Sequence, residues 1–138
     1  MSKFRSQRTI YVPQKKKNIP EWSLDTTTST VAHIDPVTLQ KECKTYNTDY
    51  VKYHLSFSAS HCPDRLRRLV NDGTIMQYLD DLEQRVGDAI GRQVEKWKQY
   101  DKEYQVAIIS GDIQKAAGLE NCLVYMAREV IFECMVYI

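Results

Sequence analysis

The sequence predicts an α+β protein, with a C-terminal three-helix body, a small β-rich N-terminal part and a basic arm. Three observations lead there. β-prone and alternating segments are confined to the first sixty residues, apolar residues step by three or four from Cys62 onward, and cations crowd the N-terminus. At 138 residues, 43% hydrophobic and 27% charged, the chain lies in the ordinary globular range. That length and composition exclude a multidomain enzyme, wholesale disorder and a fibrous repeat.

Charge is distributed unevenly. Residues 1–17 hold six of the 19 cations (Lys3, Arg5, Arg8, Lys15, Lys16, Lys17) and no acid, which leaves 13 cations against 18 acids in the rest. A basic arm over 1–22 on a mildly acidic body is the asymmetry expected of a protein that touches phosphates or an acidic partner. Within it Arg8 to Val12 is β-prone, Pro13 and the lysine run end that segment, and Ile19 to Trp22 reads as a loop pinned by one aromatic.

Residues 23–60 form the strand-bearing segment. Thr26 to Ile34 is rich in Thr, Ser and Val, whose branched side chains suit a pleated surface. Asp35 before Pro36 has the form of a helix start and predicts a short helix from Pro36 to about Lys44. From Tyr50 to Ser58, Val51, Tyr53, Leu55 and Phe57 alternate with Lys52, His54, Ser56 and Ser58, a period of two that predicts a strand with His54 on its solvated face.

Residues 61–138 read as helical. Pro63 opens a short helix through Leu66 and Val70 that stops at Gly73. A long helix follows from Thr74, with Ile75, Leu79, Leu82, Val86, Ile90, Val94 and Trp97 in one stripe. Gly87 and Gly91 each cost it about 1 kcal/mol against alanine, which implies close approach of another backbone. Gln105 to Ile109 is too short to assign. Ser110, Gly111 and Asp112 supply a break and an N-cap for a last helix that ends in Met135, Val136, Tyr137 and Ile138, apolar enough to be expected docked.

Residues that could carry chemistry are few. Cys43, Cys62, Cys122 and Cys134 lack metal-ligand spacing, so a zinc site with His54 or His61 is set aside in favour of reduced thiols in a cytoplasmic protein. Leu119 to Ile138 carries too many charges to cross a bilayer and is read as a core helix, without membrane association. No glycine-rich phosphate loop, nucleophile elbow or zinc-protease pair occurs, and His61 is a poor base for the adjacent Cys62. No catalytic residue, metal or cofactor is therefore assigned. Asp80 and Glu83 share a helix face without a third ligand and read as a solvated acidic surface. The stronger signal is basic. Arg65, Arg67 and Arg68 crowd the helix after Pro63, and Arg85, Arg92 and Lys96 share one side of the long helix. Phe4, Tyr11 and Trp22 lie among the arm's cations, a mixture that pairs with phosphates and stacks on bases. The binding candidates are Lys3, Arg5, Arg8, Lys15, Lys16, Lys17, Arg65, Arg67 and Arg68.

His61-Cys62-Pro63, Leu66, Leu69-Val70, Asn71-Asp72-Gly73-Thr74-Ile75 and Tyr78-Leu79-Asp80-Asp81-Leu82-Glu83, with the closing Asn121, Ala127-Arg128-Glu129-Val130-Ile131 and Met135-Val136-Tyr137, resemble the TnpV family of transposon-encoded small proteins. The resemblance covers 61–138, while the first sixty residues depart from the family's short Pro-rich lead-in. It implies a helical scaffold on the gene product of a mobile element, without known catalysis. The expected function is that of a non-enzymatic accessory protein that binds nucleic acid or a nucleoprotein complex. The alternative is an inhibitor of a host defence nuclease, of anti-CRISPR type, acting by protein–protein binding. Oligomeric state is left open.

Overall fold

The computed structural model describes residues 3–138 and is α+β. Six strands come first: β1 (Lys3–Arg5), β2 (Thr9–Val12), β3 (Lys17–Pro20), β4 (Trp22–Asp25), β5 (Thr30–Ile34) and β6 (Lys41–Thr45). The helices follow as α1 (Asp49–His61), α2 (Pro63–Asp72), α3 (Ile75–Tyr100), α4 (Lys102–Ser110) and α5 (Ile113–Ile131), and a π-helical turn, Phe132–Val136, closes the chain. Two compact units divide within α3. One holds the chain through Glu83 together with Tyr137–Ile138, and the other is Gln84–Val136.

In the first unit β1, β4, β5 and β6 form an antiparallel sheet in the order β1-β4-β5-β6, and β2 and β3 form a separate hairpin. Because side chains alternate across a strand, the sheet has two distinct faces. Phe4, Leu24 and Val31 lie on one and are nearly inaccessible. That face is covered by α2, which packs on β1 and β4 and contributes the fully buried Leu66 and Val70. The registered row Arg5, Ser23, Ala32 and Cys43 lies on the other. Over one end of that second face sits the hairpin, held by a small apolar cluster of Ile10, Val12 and Ile34 with Ile19 packed against it.

In the second unit the helix ends are set by short capping residues. Asp101 accepts from Tyr104 N–H at 2.9 Å to start α4, and Asp112 accepts from Lys115 N–H at 3.1 Å to start α5. Gly111 ends α4 in the left-handed region at φ +76°. Lys98 Nζ reaches Glu95 and Glu120, each at 3.1 Å, and ties α3 to α5.

Several elements differ from the sequence expectations. The predicted basic arm is strands β1 to β3, paired and partly buried, and the expected loop at Ile19 to Trp22 supplies the end of β3 and the start of β4. Asp35 does accept from Val37 and Thr38 N–H, at 2.8 and 3.1 Å, but no helix follows. Leu39 takes a left-handed φ of 61°, and Asp35 N–H bonds Gln40 O, so the chain reverses into β6. The same aspartate bonds serve a turn as readily as a helix start, and pairing of β6 with β5 decides between them.

The predicted strand Tyr50 to Ser58 lies within helix α1. Its buried residues are Val51, His54, Leu55 and Ser58, spaced by three and four, so two residues counted as solvent-facing are on the inner face. His54 is fully buried with its Nε2 2.7 Å from Tyr78 Oη, and Ser58 Oγ accepts from Arg65 Nη2 at 2.6 Å. Over nine residues the two periods overlap, and buried hydrogen bonds let polar residues take the helical face. At Gly91 a built Cβ meets nothing within 4 Å among the described residues, so the close approach expected there is not seen among them.

Candidate anion-binding groove

Between the hairpin and the second sheet face lies a groove of about 520 Å³. Its floor is apolar, formed by Val12, Ile19, Ala32 and Ile34, and its rim carries Arg5, Lys15, Lys17 and Lys41. None of the described residues that line it is acidic.

Local folding places each cation. Arg5 stands on β1 in the row of Ser23 and Ala32, where short neighbours leave the sheet face open. Lys15 is in the β2–β3 turn, closed by Lys15 N–H to Val12 O at 3.1 Å, and Lys17 is the cross-strand partner of Val12, hence on the hairpin's inner side. Lys41 pairs with Ile34 at the start of β6. The turn that delivers it is held by Asp35, whose carboxyl the backbone N–H groups of Val37 and Thr38 keep below its ordinary value of 3.8. A second hollow of about 310 Å³ shares Arg5, Ser23, Ala32 and Lys41 with the groove and adds Lys3, but its lining also holds Asp25, the cross-strand partner of Lys3, so the acid-free lining is confined to the first groove.

The structure thus brings together Lys3, Arg5, Lys15 and Lys17 of the sequence candidates, and separates the others. Arg8 is paired with Glu21 at 3.3 Å, and Lys16, at φ 51° in the turn, does not line the groove. Arg65, Arg67 and Arg68 are on α2, across the sheet from it. Arg65 turns inward to Ser58, with its Nε buried without a hydrogen-bond partner, and Arg67 pairs with Asp64. Lys41 was missed because the sequence put it in a helix, and nothing local marks it as the neighbour of Arg5.

The expected stacking aromatics are engaged elsewhere. Phe4 is in the core, and Trp22 stacks on His33 at 4.0 Å between ring centroids. Of the three, Tyr11 alone is well exposed, and it does not line the groove. The groove therefore offers charge and donors rather than a stacking platform, which suits phosphate or carboxylate oxygens.

No family model, curated protein or solved structure matches the chain.

Among the described residues no group of three His, Cys, Asp or Glu is placed to hold a metal ion, and no helix is long and apolar enough to cross a membrane. His61 stacks on Phe57 at 4.3 Å, and its Nδ1 is 3.1 Å from Phe57 O, while His54 is committed to Tyr78.

Proposed function

We propose that the chain is a non-enzymatic accessory protein of a mobile genetic element, located in the cytoplasm, that holds the phosphate backbone of a nucleic acid, free or within a nucleoprotein complex. The observation that carries the reading is the groove itself: Arg5, Lys15, Lys17 and Lys41 converge from three separate strands and a turn on one concavity whose described lining has no carboxylate. Phosphate contacts of this kind give affinity without sequence preference. The mobile-element context rests on the resemblance to TnpV proteins over 61–138, and with it goes a reading of α3, α4 and α5 as a three-helix body.

Titration of a labelled oligonucleotide at several salt concentrations tests it. Replacing Arg5, Lys15, Lys17 and Lys41 by Gln is expected to weaken binding and flatten the log–log salt slope by about 0.7–0.9 for each phosphate no longer neutralised. Replacing Arg67 and Arg68 is expected to leave both unchanged. Equal affinity and slope in the groove variant would remove the reading.

The alternative, inhibition of a host defence nuclease by protein–protein binding, is favoured by the surface of α4. Val106, Ile108 and Ile109 are exposed there, Ile109 to 84%. Such apolar residues are of more use to a protein partner than to phosphates. Capture of a nuclease that survives removal of nucleic acid and is lost on Ile109→Asp would favour this second reading.

A further inference from the structure

Helix α5 (Ile113–Ile131) turns one ridge inward, through Ala116, Leu123 and Ala127. About a third of a turn away runs a second ridge centred on Cys122. At offsets of three, four and seven residues it carries Leu119 and Tyr125, Gly118 and Met126, and Lys115 and Glu129. These offsets return to the same side of an α-helix, so the seven residues form one stripe. Six of the seven face solvent: Tyr125 is 71% and Met126 53% accessible, Lys115, Gly118, Cys122 and Glu129 are exposed, and Leu119, at the stripe's edge, is half-buried. Among the described residues neither Lys115 nor Glu129 has an ion-pair partner.

The stripe is its own complement when reversed. With two copies antiparallel about a twofold axis at Cys122, each residue faces the one at the opposite offset. Lys115 then meets Glu129 of the other copy, Met126 meets Gly118, Tyr125 meets Leu119, and the two Cys122 side chains meet on the axis. Charge faces opposite charge twice, and a long side chain faces a glycine twice. A Cβ built on Gly118 meets nothing within 4 Å, so the position has open space before it for the Met126 side chain. A parallel pair would set Lys115 against Lys115 and Glu129 against Glu129, so the pattern fits only the antiparallel arrangement.

We propose that this face of α5 binds a second copy of the chain, as an antiparallel homodimer with its twofold axis at Cys122. The proposal is independent of the groove and of any ligand there. One helix-on-helix contact is smaller than a standard interface, so association is expected to be weak and concentration-dependent.

Light scattering and sedimentation equilibrium of the full chain, from about 5 to about 500 µM, give the first measurement. Lys115→Glu sets two like-charge pairs across the axis and is expected to weaken the dimer at least tenfold. Adding Glu129→Lys restores opposite charges and is expected to recover it, which a folding defect would not do. A chain whose only cysteine is Cys122 should be joined to its copy by a short bis-maleimide, and one whose only cysteine is Cys134 should not. A monomer over the whole range, a dimer indifferent to Lys115→Glu, or crosslinking through Cys134 in place of Cys122 would each overturn the proposal.

Discussion

Gly73 ends α2 at φ +73°, and a Cβ built there lies 2.8 Å from Trp22 Nε1. Gly73→Ala therefore meets two costs: the left-handed conformation, about 1–2 kcal/mol for an L-residue, and displacement of an indole stacked on His33. Gly91, in the middle of α3, has neither constraint, and Gly91→Ala is expected to stabilise by about 0.5–1 kcal/mol. Urea unfolding of the two variants should give shifts of opposite sign, and a destabilised Gly91→Ala would mean that something does pack on that face. At His54 the expectation is sharper than for most surface histidines. Tyr78→Phe removes a 2.7 Å hydrogen bond to a ring that is fully buried and should cost about 1–3 kcal/mol, whereas the cost at a solvated strand residue would be near zero.

The link between β6, the segment after it and α3 is electrostatic as well as apolar. Lys44 Nζ lies 2.5 Å from Asp80 Oδ1, Tyr46 Oη donates to the same oxygen at 2.7 Å, and Thr48 Oγ1 donates to Glu83 Oε2 at 2.8 Å. Partial burial works to raise the Asp80 carboxyl, but the bonds from Lys44 and Tyr46 outweigh it and hold the group below its ordinary 3.8. Burial and the neighbouring Asp80 push the Tyr46 hydroxyl above its ordinary 10.0. A depressed carboxyl contributes stability that is present above the unfolded value and lost as pH falls through the folded one. A raised phenol contributes below its unfolded value and loses that contribution as pH rises. Melting temperature should therefore be greatest between these limits. The penalty of Asp80→Asn should be present at pH 7 and shrink as the wild type is taken below pH 3.8. A penalty unchanged down to acid unfolding would assign Asp80 a packing role only. From sequence, Asp80 and Glu83 read as a solvated acidic face. Their partners are more than thirty residues away, and helix periodicity carries no information about them.

At the scale of the whole chain, the two ends exchange their expected importance. The sequence set a charged arm with little apolar area at the N-terminus against a C-terminus expected to be docked. In the structure Phe4, 3% accessible, is inside the sheet, whereas Tyr137 and Ile138 are 41% and 55% accessible and Val136 is the one fully buried residue of the last three. Removing Met1–Arg5 deletes a paired strand and an aromatic whose truncation alone costs about 3–5 kcal/mol, against about 1.5–3 for one buried aliphatic side chain. Thermal melts should show the larger fall for the N-terminal deletion, and an equal or smaller fall would mean that β1 is only loosely held. The cationic groove belongs to the same scale. Its residues come from positions 5 to 41, and strand pairing, which the local pattern does not specify, brings them together.

What the sequence determined by itself was whatever a few neighbouring residues can enforce. Pro63 starting α2, Gly73 ending it, the apolar stripe of α3, the break at Gly111 and the Asp112 cap of α5 all rest on backbone geometry within one or two turns, where no distant contact competes. Tertiary structure alone decided the segments whose local signals were divided. Residues 35–45 became a hairpin because β5 offered a partner, and 49–61 became a helix because Tyr78 and Arg65 satisfied His54 and Ser58 in the interior. Lys15 and Lys17 became the edge of a groove because Ile10, Val12 and Ile34 hold the hairpin over the sheet. In each case the deciding energy is burial or pairing between residues far apart in the chain, which no window of the sequence contains.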